Sequence, residues 1–207
     1  MLITFEGIEG CGKTTQSDLL YQYLLQAGHS VVKTREPGGT ALGEALREVL
    51  LRKDLPVFAL SELLLVMAVR AQHMEEVISP ALADGKIVVC DRFVDATYAY
   101  QGYGRAIDLG IIETLNRLVT KGVRPNLTVL LDCDVEMALK RKSAASQTMD
   151  RFEREDISFH KSIRKAYLKL AEEDSKRFFV VDGSLDRSEA RRIIQEKVES
   201  LLRNHGI

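Results

Sequence analysis

A glycine-rich segment near the N-terminus has the residue types and spacing of a phosphate-binding loop. Gly7, Gly12, Lys13 and Thr14 complete the pattern G-x-x-x-x-G-K-[ST], between a short apolar run and an amphipathic helical pattern. Glycines let successive backbone N–H groups face a phosphate, a lysine here bridges the β- and γ-phosphates, and the threonine hydroxyl ligates Mg²⁺. The segment predicts a nucleoside triphosphate and Mg²⁺ site formed by Gly7, Ile8, Glu9, Gly10, Cys11, Gly12, Lys13, Thr14 and Thr15.

The loop alone leaves several classes of nucleotide-binding protein open. A GTPase switch needs an N-K-x-D tetrad for guanine and a D-x-x-G tetrad after a core strand, and neither occurs in the sequence. The GTPase class is therefore disfavoured. The alternative to any ligand site is a glycine turn that binds nothing.

A second candidate phosphate site is the Asp91-Arg92 pair, which ends an apolar run. In an open parallel sheet ligands bind beyond the carboxyl ends of the strands, so this pair is expected to face the loop. The carboxylate can hold Mg²⁺, directly or through water, while the guanidinium group binds a second phosphate through two hydrogen bonds. Arg70 offers a further donor. The alternative is a structural ion pair at the end of a strand.

Two further segments carry groups suited to a sugar and a base. Glu36 and Pro37 lie in a turn with two glycines that follows the second apolar run. Thr97, Tyr100 and Gln101 follow the Asp91-Arg92 pair and supply a hydroxyl, a ring and an amide. These five residues are candidate substrate contacts. An ordinary strand-to-helix turn explains the first two almost as well, and packing explains the last three.

The chain alternates between short apolar runs and amphipathic helical patterns. Five runs are rich in β-branched residues and too short for helices, as in parallel strands covered on both faces; they are Leu2–Phe5, Ser30–Thr34, Lys86–Cys90, Leu127–Asp132 and Arg177–Asp182. Helical patterns occupy Lys13–Ala27, Leu60–Ala83 with a break near Pro80, Asp108–Thr120, Val135–Lys142, Glu153–Glu173 and Arg187–Arg203. The alternation predicts one α/β domain over residues 1–207 with the P-loop NTP hydrolase fold: a five-stranded parallel sheet, helices on both faces and a short lid.

Composition and charge limit the remaining possibilities. Lys+Arg 29 nearly balances Asp+Glu 30, which disfavours a nucleic-acid-coating surface. The three cysteines are scattered and fit a reducing compartment better than a disulfide framework. The N-terminus lacks the pattern of a secretory signal, and no apolar run approaches the length of a membrane span. A cytoplasmic location without membrane attachment is expected.

Taken together, the motifs resemble those of the thymidylate kinase family, in family order and over most of the chain. The matching segments are FEGIEGCGKTT at Phe5–Thr15, TREPGGT at Thr34–Thr40, RAQH at Arg70–His73, DRF at Asp91–Phe93, AYQGYGR at Ala99–Arg105, LLDCD at Leu130–Asp134 and DRFE at Asp150–Glu153. The resemblance implies transfer of the ATP γ-phosphate to deoxythymidine monophosphate (dTMP), giving the diphosphate and ADP. It also implies Mg²⁺ and a homodimer packed through helices.

The resemblance also implies roles for individual residues. Arg92 is expected to bind the acceptor's phosphate and Arg70 the edge of thymine, with Thr97 and Gln101 along the nucleoside. Tyr100 is expected under the deoxyribose, where it obstructs a 2′-hydroxyl. Two further roles concern the donor. Glu9 is expected to place a carboxylate near the reacting phosphates and metal, and Arg141 is expected to contact adenine. Asp91 is expected to act as a metal or positioning residue.

One departure concerns the base. Four residues before Arg70 the family usually has a phenylalanine that stacks on thymine, whereas this chain has Val66 followed by Met67. Base stacking contributes about 1–3 kcal/mol, so the resemblance implies a weaker or differently built pyrimidine pocket.

Positive charge for the transition state must come from outside the loop. Some family members place an arginine within it, but the variable positions here, Ile8 to Cys11, carry none. The predicted lid at about residues 141–154 has a small, polar flap at Ser143–Met149 between basic flanks. Of those cations we expect Arg151 to reach the transferring phosphate as the lid closes and excludes water. The alternative is that they are solvated charges at helix ends.

Two other functions stay open at this point. One is a P-loop kinase acting on another nucleotide or on a free nucleoside, although a nucleoside has no phosphate for Arg92 to bind. The other is a regulatory NTPase that hydrolyses ATP slowly and signals by a change of shape.

Overall fold

The computed structural model describes residues 1–145 and 151–206, and within them five strands form one parallel sheet. The strands are β1 (Leu2–Glu6), β2 (Val31–Arg35), β3 (Ile87–Asp91), β4 (Leu127–Asp132) and β5 (Phe178–Asp182). Their order across the sheet is β2-β3-β1-β4-β5. Because β1 lies between β3 and β4, Phe5 pairs in register with Asp91. The loop that follows β1 and the pair that ends β3 are therefore neighbours at the carboxyl edge.

Helices connect the strands and cover both faces of the sheet. They are α1 (Lys13–Gln26), α2 (Ala41–Leu51), α3 (Ala59–His73), α4 (Ser79–Ala83), α5 (Val94–Thr97), α6 (Leu109–Thr120), α7 (Val135–Ala145), α8 (Ile157–Glu173) and α9 (Arg187–Asn204). Two π-helical segments, Met74–Ile78 and Tyr98–Gly104, continue α3 and α5. Such segments are frequent at functional sites, and the second carries Tyr100 and Gln101.

Alternate residues of the buried strands separate the core into two faces. On one face Ile3, Phe5 and Val129 pack in a cluster with side chains of α1, α8 and α9. On the other, Leu2 and Val88 pack with the π-helical segment after α3 and with α4. The strands are apolar on both faces because helical segments cover both sides of the sheet, as the sequence predicts.

The predicted α/β architecture and all five strands are confirmed, with boundaries shifted by at most one residue at either end. The helical pattern over Leu60–Ala83 with a break near Pro80 corresponds to α3 and α4, and the break is the π-helical segment that ends at Ile78. The predicted start of the long helix at Glu153 was wrong: α8 begins at Ile157, where the Asp156 side chain caps the N–H of Phe159. The predicted flap falls partly in α7, and residues 146–150 lie outside the described residues.

Helix α2 was missing from the sequence prediction. Thr40 caps it, its hydroxyl accepting from the N–H of Gly43, and Glu44 accepts from the N–H of Gly39. The turn after β2, in which the sequence predicts ligand contacts, therefore also leads into a capped helix. Its last turn brings Leu50 and Leu51 to the central cavity described below.

Candidate active site

The loop between β1 and α1 has a backbone that only glycine adopts readily. Gly10 has φ 75° and Gly12 has φ 99°, both left-handed, and a Cβ atom at Gly10 would lie 2.0 Å from the carbonyl oxygen of Ala138. Helix α1 begins directly afterwards at Lys13, so its unpaired first N–H groups face the loop. Convergent N–H groups at a helix N-terminus favour an anion.

The Lys13 side chain lies across this loop. Its ammonium group donates to the carbonyl oxygen of Ile8 at 2.7 Å and lies 3.6 Å from Cys11 Sγ. The side chain is 6% exposed. A buried ammonium group at the start of α1 adds positive charge where the pattern predicts a phosphate chain.

Thr14 and Asp91 come together beside the loop. The Thr14 hydroxyl donates to Asp91 Oδ2 at 2.5 Å. A hydroxyl and a carboxylate from neighbouring elements are oxygen ligands of the kind that Mg²⁺ takes alongside substrate phosphates. These two groups therefore fit the expected metal site.

Arg92 is held in a conformation unusual for a residue with a side chain, with φ 69°. Its guanidinium group donates to the Gly7 carbonyl at 3.1 Å, to the Tyr167 hydroxyl at 3.2 Å and to Glu9 Oε1 at 2.9 Å. It also lies 4.9 Å from the centre of the Tyr100 ring. Strained backbone that the surroundings hold in place is common at functional sites. The second predicted phosphate-binding group therefore lies directly against the loop.

Glu9 joins the loop to the helices around it. Its Oε1 accepts from Arg92 and from the Tyr100 hydroxyl at 2.6 Å, and its Oε2 lies 3.6 Å from His160 Nδ1 on α8. Burial raises the pKa of Glu9, but Arg92, His160, Lys13 and Tyr100 outweigh that effect and hold this pKa well below its usual range. The carboxylate is therefore ionised at every pH at which the protein would be assayed.

Glu6, at the end of β1, has the opposite electrostatic environment. It accepts from the Phe93 N–H and from the Tyr167 hydroxyl, each at 2.7 Å. Burial and the nearby Asp95 carboxylate raise the pKa of Glu6 to about 8, against the lowering effects of Arg92 and of the two hydrogen bonds. Its folded pKa lies above the unfolded value, so this group stabilises the fold fully at acid pH and loses that contribution as pH rises through about 8.

Glu6→Gln should therefore raise the melting temperature relative to wild type more at pH 9 than at pH 5. We expect the difference to grow by at least about 5 °C, since 1 kcal/mol corresponds to about 2–4 °C in a chain of this size. Calorimetric melting at both pH values measures it. Glu172→Gln, on the exposed face of α8, is the matched control. A pH-independent difference for Glu6→Gln would contradict this account.

A cavity of about 240 Å³ opens beside the loop. Its lining carries charges of both signs: the cations are Lys13, Arg35, Arg47, Arg70, Arg92 and Lys142, and the carboxylates are Glu9, Glu36, Asp91 and Glu153. The lining also includes apolar and neutral polar side chains: Leu50, Leu51, Val66, Phe93, Ala96, Thr97, Tyr100, Gln101 and Phe152. Cations together with apolar and neutral polar side chains suit a molecule that carries both an anionic group and an uncharged ring.

Arg70 lies under this cavity, 1% exposed, and all three of its guanidinium nitrogens have protein partners. Nε donates to Glu36 at 2.7 Å, one terminal nitrogen to Thr97 and Asn116, and the other to the Phe93 carbonyl. Burial acts to raise the pKa of Glu36, but the nearby Arg70 and His73 outweigh this effect and hold the pKa below its usual value. In this conformation Arg70 fixes Thr97 and Glu36 in the cavity wall.

Gln101 and Arg151 meet at one buried carboxylate, Glu62 of α3. The Gln101 amide donates to Glu62 Oε1 at 2.7 Å, and an Arg151 guanidinium nitrogen lies 2.7 Å from Oε2. Arg151 also donates to the Leu50 carbonyl at 3.0 Å. Arg151 does not line the cavity that Lys13 lines; it lines a separate depression that also includes Arg105. A different lid cation, Lys142, lines the cavity and pairs with Glu153 at 2.9 Å.

Arg141 and Thr15 line a separate depression on the other side of the loop. Arg141 donates to the Gly183 carbonyl at 2.6 Å. Cys11, Gly12 and Leu185 are also part of the lining of this depression. The loop therefore separates two concave surfaces, one on each side of Lys13.

Comparison with known proteins agrees with this geometry. The family model of thymidylate kinase matches residues 5–194 of the chain. The chain belongs to the thymidylate kinase family. It is 53% identical over 188 residues to the thymidylate kinase of Geotalea uraniireducens, covering 88% of each chain, and 54% identical over 196 residues to that of Geotalea daltonii, covering 91% of this chain and 92% of the relative.

A solved structure of a thymidylate kinase supports the fold directly. The crystal structure of the enzyme from Ehrlichia chaffeensis matches with a TM-score of 0.79 and 38% identity, over 96% of this chain and 98% of that one. The predicted family resemblance and the P-loop fold are therefore confirmed.

Several residues of this thymidylate kinase family member that shape the site were not found from the sequence. Glu62 and His160 are fully buried polar side chains on amphipathic helices, and Lys142 was considered only as one of several lid cations. An acidic residue among the apolar positions of α3 was the available signal for Glu62. Among the described residues, no helix combines the length and apolar character that crossing a membrane requires.

Proposed function

We propose that the chain transfers the γ-phosphate of ATP to dTMP, giving deoxythymidine diphosphate and ADP. The observation that carries this proposal is the contact of Arg92 with the loop itself, at 3.1 Å from the Gly7 carbonyl and 2.9 Å from Glu9. A kinase needs two anions held side by side. Membership of the thymidylate kinase family names the acceptor.

ATP would bind through the loop residues Gly7 to Thr15, with Lys13 on its phosphates. The left-handed glycines and the start of α1 support this assignment. Its adenine would lie against Arg141, in the depression that Thr15 also lines.

Mg²⁺ would be held by Thr14 and Asp91, whose oxygen atoms already meet at 2.5 Å. Glu9 is the third candidate, and its Oε2 has no hydrogen-bond partner among the described residues. The metal would neutralise charge on the phosphates as it develops. Asp91 would act here as a positioning group, because an acceptor phosphate is anionic already at neutral pH and needs no general base.

The acceptor would occupy the central cavity, with its phosphate on Arg92 and its ring against the apolar and neutral polar side chains of the lining. Tyr100 lies beneath Arg92 and would pack against the deoxyribose. Glu36, Pro37, Thr97 and Gln101 line the same cavity. Arg70 would act through Thr97 and Glu36, which it holds by hydrogen bonds.

Arg151 would supply positive charge to the transferring group when the lid closes. In the present conformation Glu62 and the Leu50 carbonyl hold it, so reaching the phosphates requires that ion pair to open. Arg105 also faces Glu62, at 3.4 Å, and would remain as its partner.

The chain would act as a homodimer in the cytoplasm. Helices α3 and α6 carry exposed apolar side chains that support a helix-packed interface; they are Leu60, Leu64, Ile111 and Leu118. Large apolar side chains exposed on neighbouring helices are typical of protein contacts.

An acceptor panel tests the function. Wild-type protein with ATP and Mg²⁺ would be given the monophosphates of deoxythymidine, deoxyuridine, adenosine, guanosine and cytidine, and also free thymidine. We expect dTMP to give the highest kcat/KM. Faster phosphorylation of a purine nucleotide, or of thymidine, would contradict the proposal and favour another P-loop kinase.

A further inference from the structure

Glu62 is a buried carboxylate that can only accept, and not donate, a hydrogen bond in its contact with Gln101. It is 0% exposed, and two guanidinium groups face it, from Arg151 at 2.7 Å and from Arg105 at 3.4 Å. An ionised carboxylate accepts hydrogen bonds and cannot donate them. Its neighbour in a hydrogen bond must therefore be a donor.

The side-chain amide of Gln101 has one donor group, Nε2, and one acceptor atom, Oε1. Its Nε2 donates to Glu62 Oε1 at 2.7 Å, with the side chain 3% exposed. Reversing the amide would set its carbonyl oxygen against a carboxylate, with no hydrogen between them. Glu62 therefore fixes the amide with Nε2 toward α3, and leaves the Oε1 atom as the group available to the cavity that Gln101 lines.

We propose that Glu62 is a positioning residue that sets the choice of base at the acceptor site. This inference rests on the proposed function. It assigns to Gln101 Oε1 the role of accepting a hydrogen bond from a ring N–H of the base. Thymine and uracil carry N–H at ring position 3, whereas cytosine has an unprotonated nitrogen there. The cavity thus selects an imide edge and rejects cytosine, because two acceptors would face each other.

The neighbouring hydroxyl supports the same selection. Thr97 Oγ1 accepts from Arg70 at 2.9 Å, which leaves its hydroxyl hydrogen free to donate. An acceptor from Gln101 and a donor from Thr97 match the N–H and C=O of an imide. Val66 and Leu50, apolar parts of the same wall, provide no competing polar group.

Glu62→Gln is the direct test, because glutamine at this position can donate as well as accept and lets the Gln101 amide turn over. The readout is the ratio of kcat/KM for dTMP to kcat/KM for deoxycytidine monophosphate. Any uniform effect on catalysis through Arg151 cancels in this ratio. We expect it to fall about tenfold; a fall of threefold or more supports the proposal, and a smaller change overturns it.

Glu155→Gln is the matched control. Glu155 pairs with Arg105 at 2.6 Å in the same cluster but does not touch Gln101, so the ratio should change by less than about twofold. In a Gln101→Ala background, Glu62→Gln should have no further effect on the ratio, since the two residues act as one unit. Additive effects of the two substitutions would overturn the proposal.

A measurement on wild type keeps the test independent of whether Glu62→Gln folds. The affinities for dTMP and for its N3-methyl derivative are compared by calorimetry. The added methyl group removes the N–H and meets Gln101 Oε1, so we expect binding at least about 30-fold weaker. Equal affinities overturn the proposal while leaving the kinase activity intact, whereas no binding of dTMP itself would count against the proposed function.

Discussion

Arg151→Ala should lower kcat by about 10³-fold or more and change the KM for dTMP by less than about threefold. An arginine that reaches the transferring phosphoryl group stabilises charge present only in the transition state, and such residues contribute about 10³–10⁵ in rate. Loss of a contact made only in the transition state lowers kcat without weakening ground-state binding. Because Arg105 also faces Glu62, the acceptor pocket should keep its shape.

The measurement is steady-state kinetics at saturating ATP, combined with single-turnover rates to separate chemistry from product release. Arg154→Ala, an exposed cation on the same side of the lid, is the control and should stay within about threefold of wild type. Near-normal kcat for Arg151→Ala would remove Arg151 from the mechanism. In that case Lys142, which lines the cavity beside the loop, becomes the next candidate.

Arg92→Ala should lower kcat/KM for dTMP by about 10²–10³-fold or more. The substitution removes the proposed phosphate contact and leaves the partly buried Glu9 carboxylate without the guanidinium group that lies 2.9 Å from it. Losing one partner of a fully buried ion pair costs about 3–5 kcal/mol, and less where the pair is partly exposed. Arg92→Lys keeps the charge but loses the two-pronged geometry, so an intermediate loss is expected.

Calorimetric titration with dTMP alone separates a binding defect from a defect in chemistry. We expect Kd for dTMP to rise at least about 30-fold in Arg92→Ala. Melting curves identify any loss that comes from unfolding. An unchanged Kd for dTMP in a folded variant would show that the acceptor phosphate does not bind Arg92.

The architecture was predictable because each level of the sequence agreed with it. Strands apolar on both faces, such as Ile87–Asp91, have few alternatives to a parallel sheet covered on both sides. Helix α2 escaped prediction because its cap, Thr40, belongs to a turn that also reads as a ligand contact. The break before Pro80 comes from a π-helical segment, which apolar spacing does not reveal.

Residues of the site were predictable where the chemistry needs a fixed local motif. The loop and the Asp91-Arg92 pair are contiguous in sequence, and the strand order brings them together. Contacts between distant elements were not predictable in the same way. Glu62 lies 39 residues from Gln101 and approaches it only once α3 packs beside the π-helical segment. Nothing in a single sequence specifies which buried carboxylate meets which amide.

The central claim is that Lys13 and Arg92 hold a donor and an acceptor phosphate side by side, and product stoichiometry tests it most directly. ATP and Mg²⁺ would be incubated with wild type, with and without dTMP, and ADP and deoxythymidine diphosphate counted by anion-exchange chromatography. We expect one diphosphate of each kind per ATP consumed, and almost no ADP when dTMP is absent. Two results would contradict the claim and favour a hydrolytic NTPase: ADP formed at the same rate when dTMP is left out, or ADP formed in the presence of dTMP with no deoxythymidine diphosphate produced.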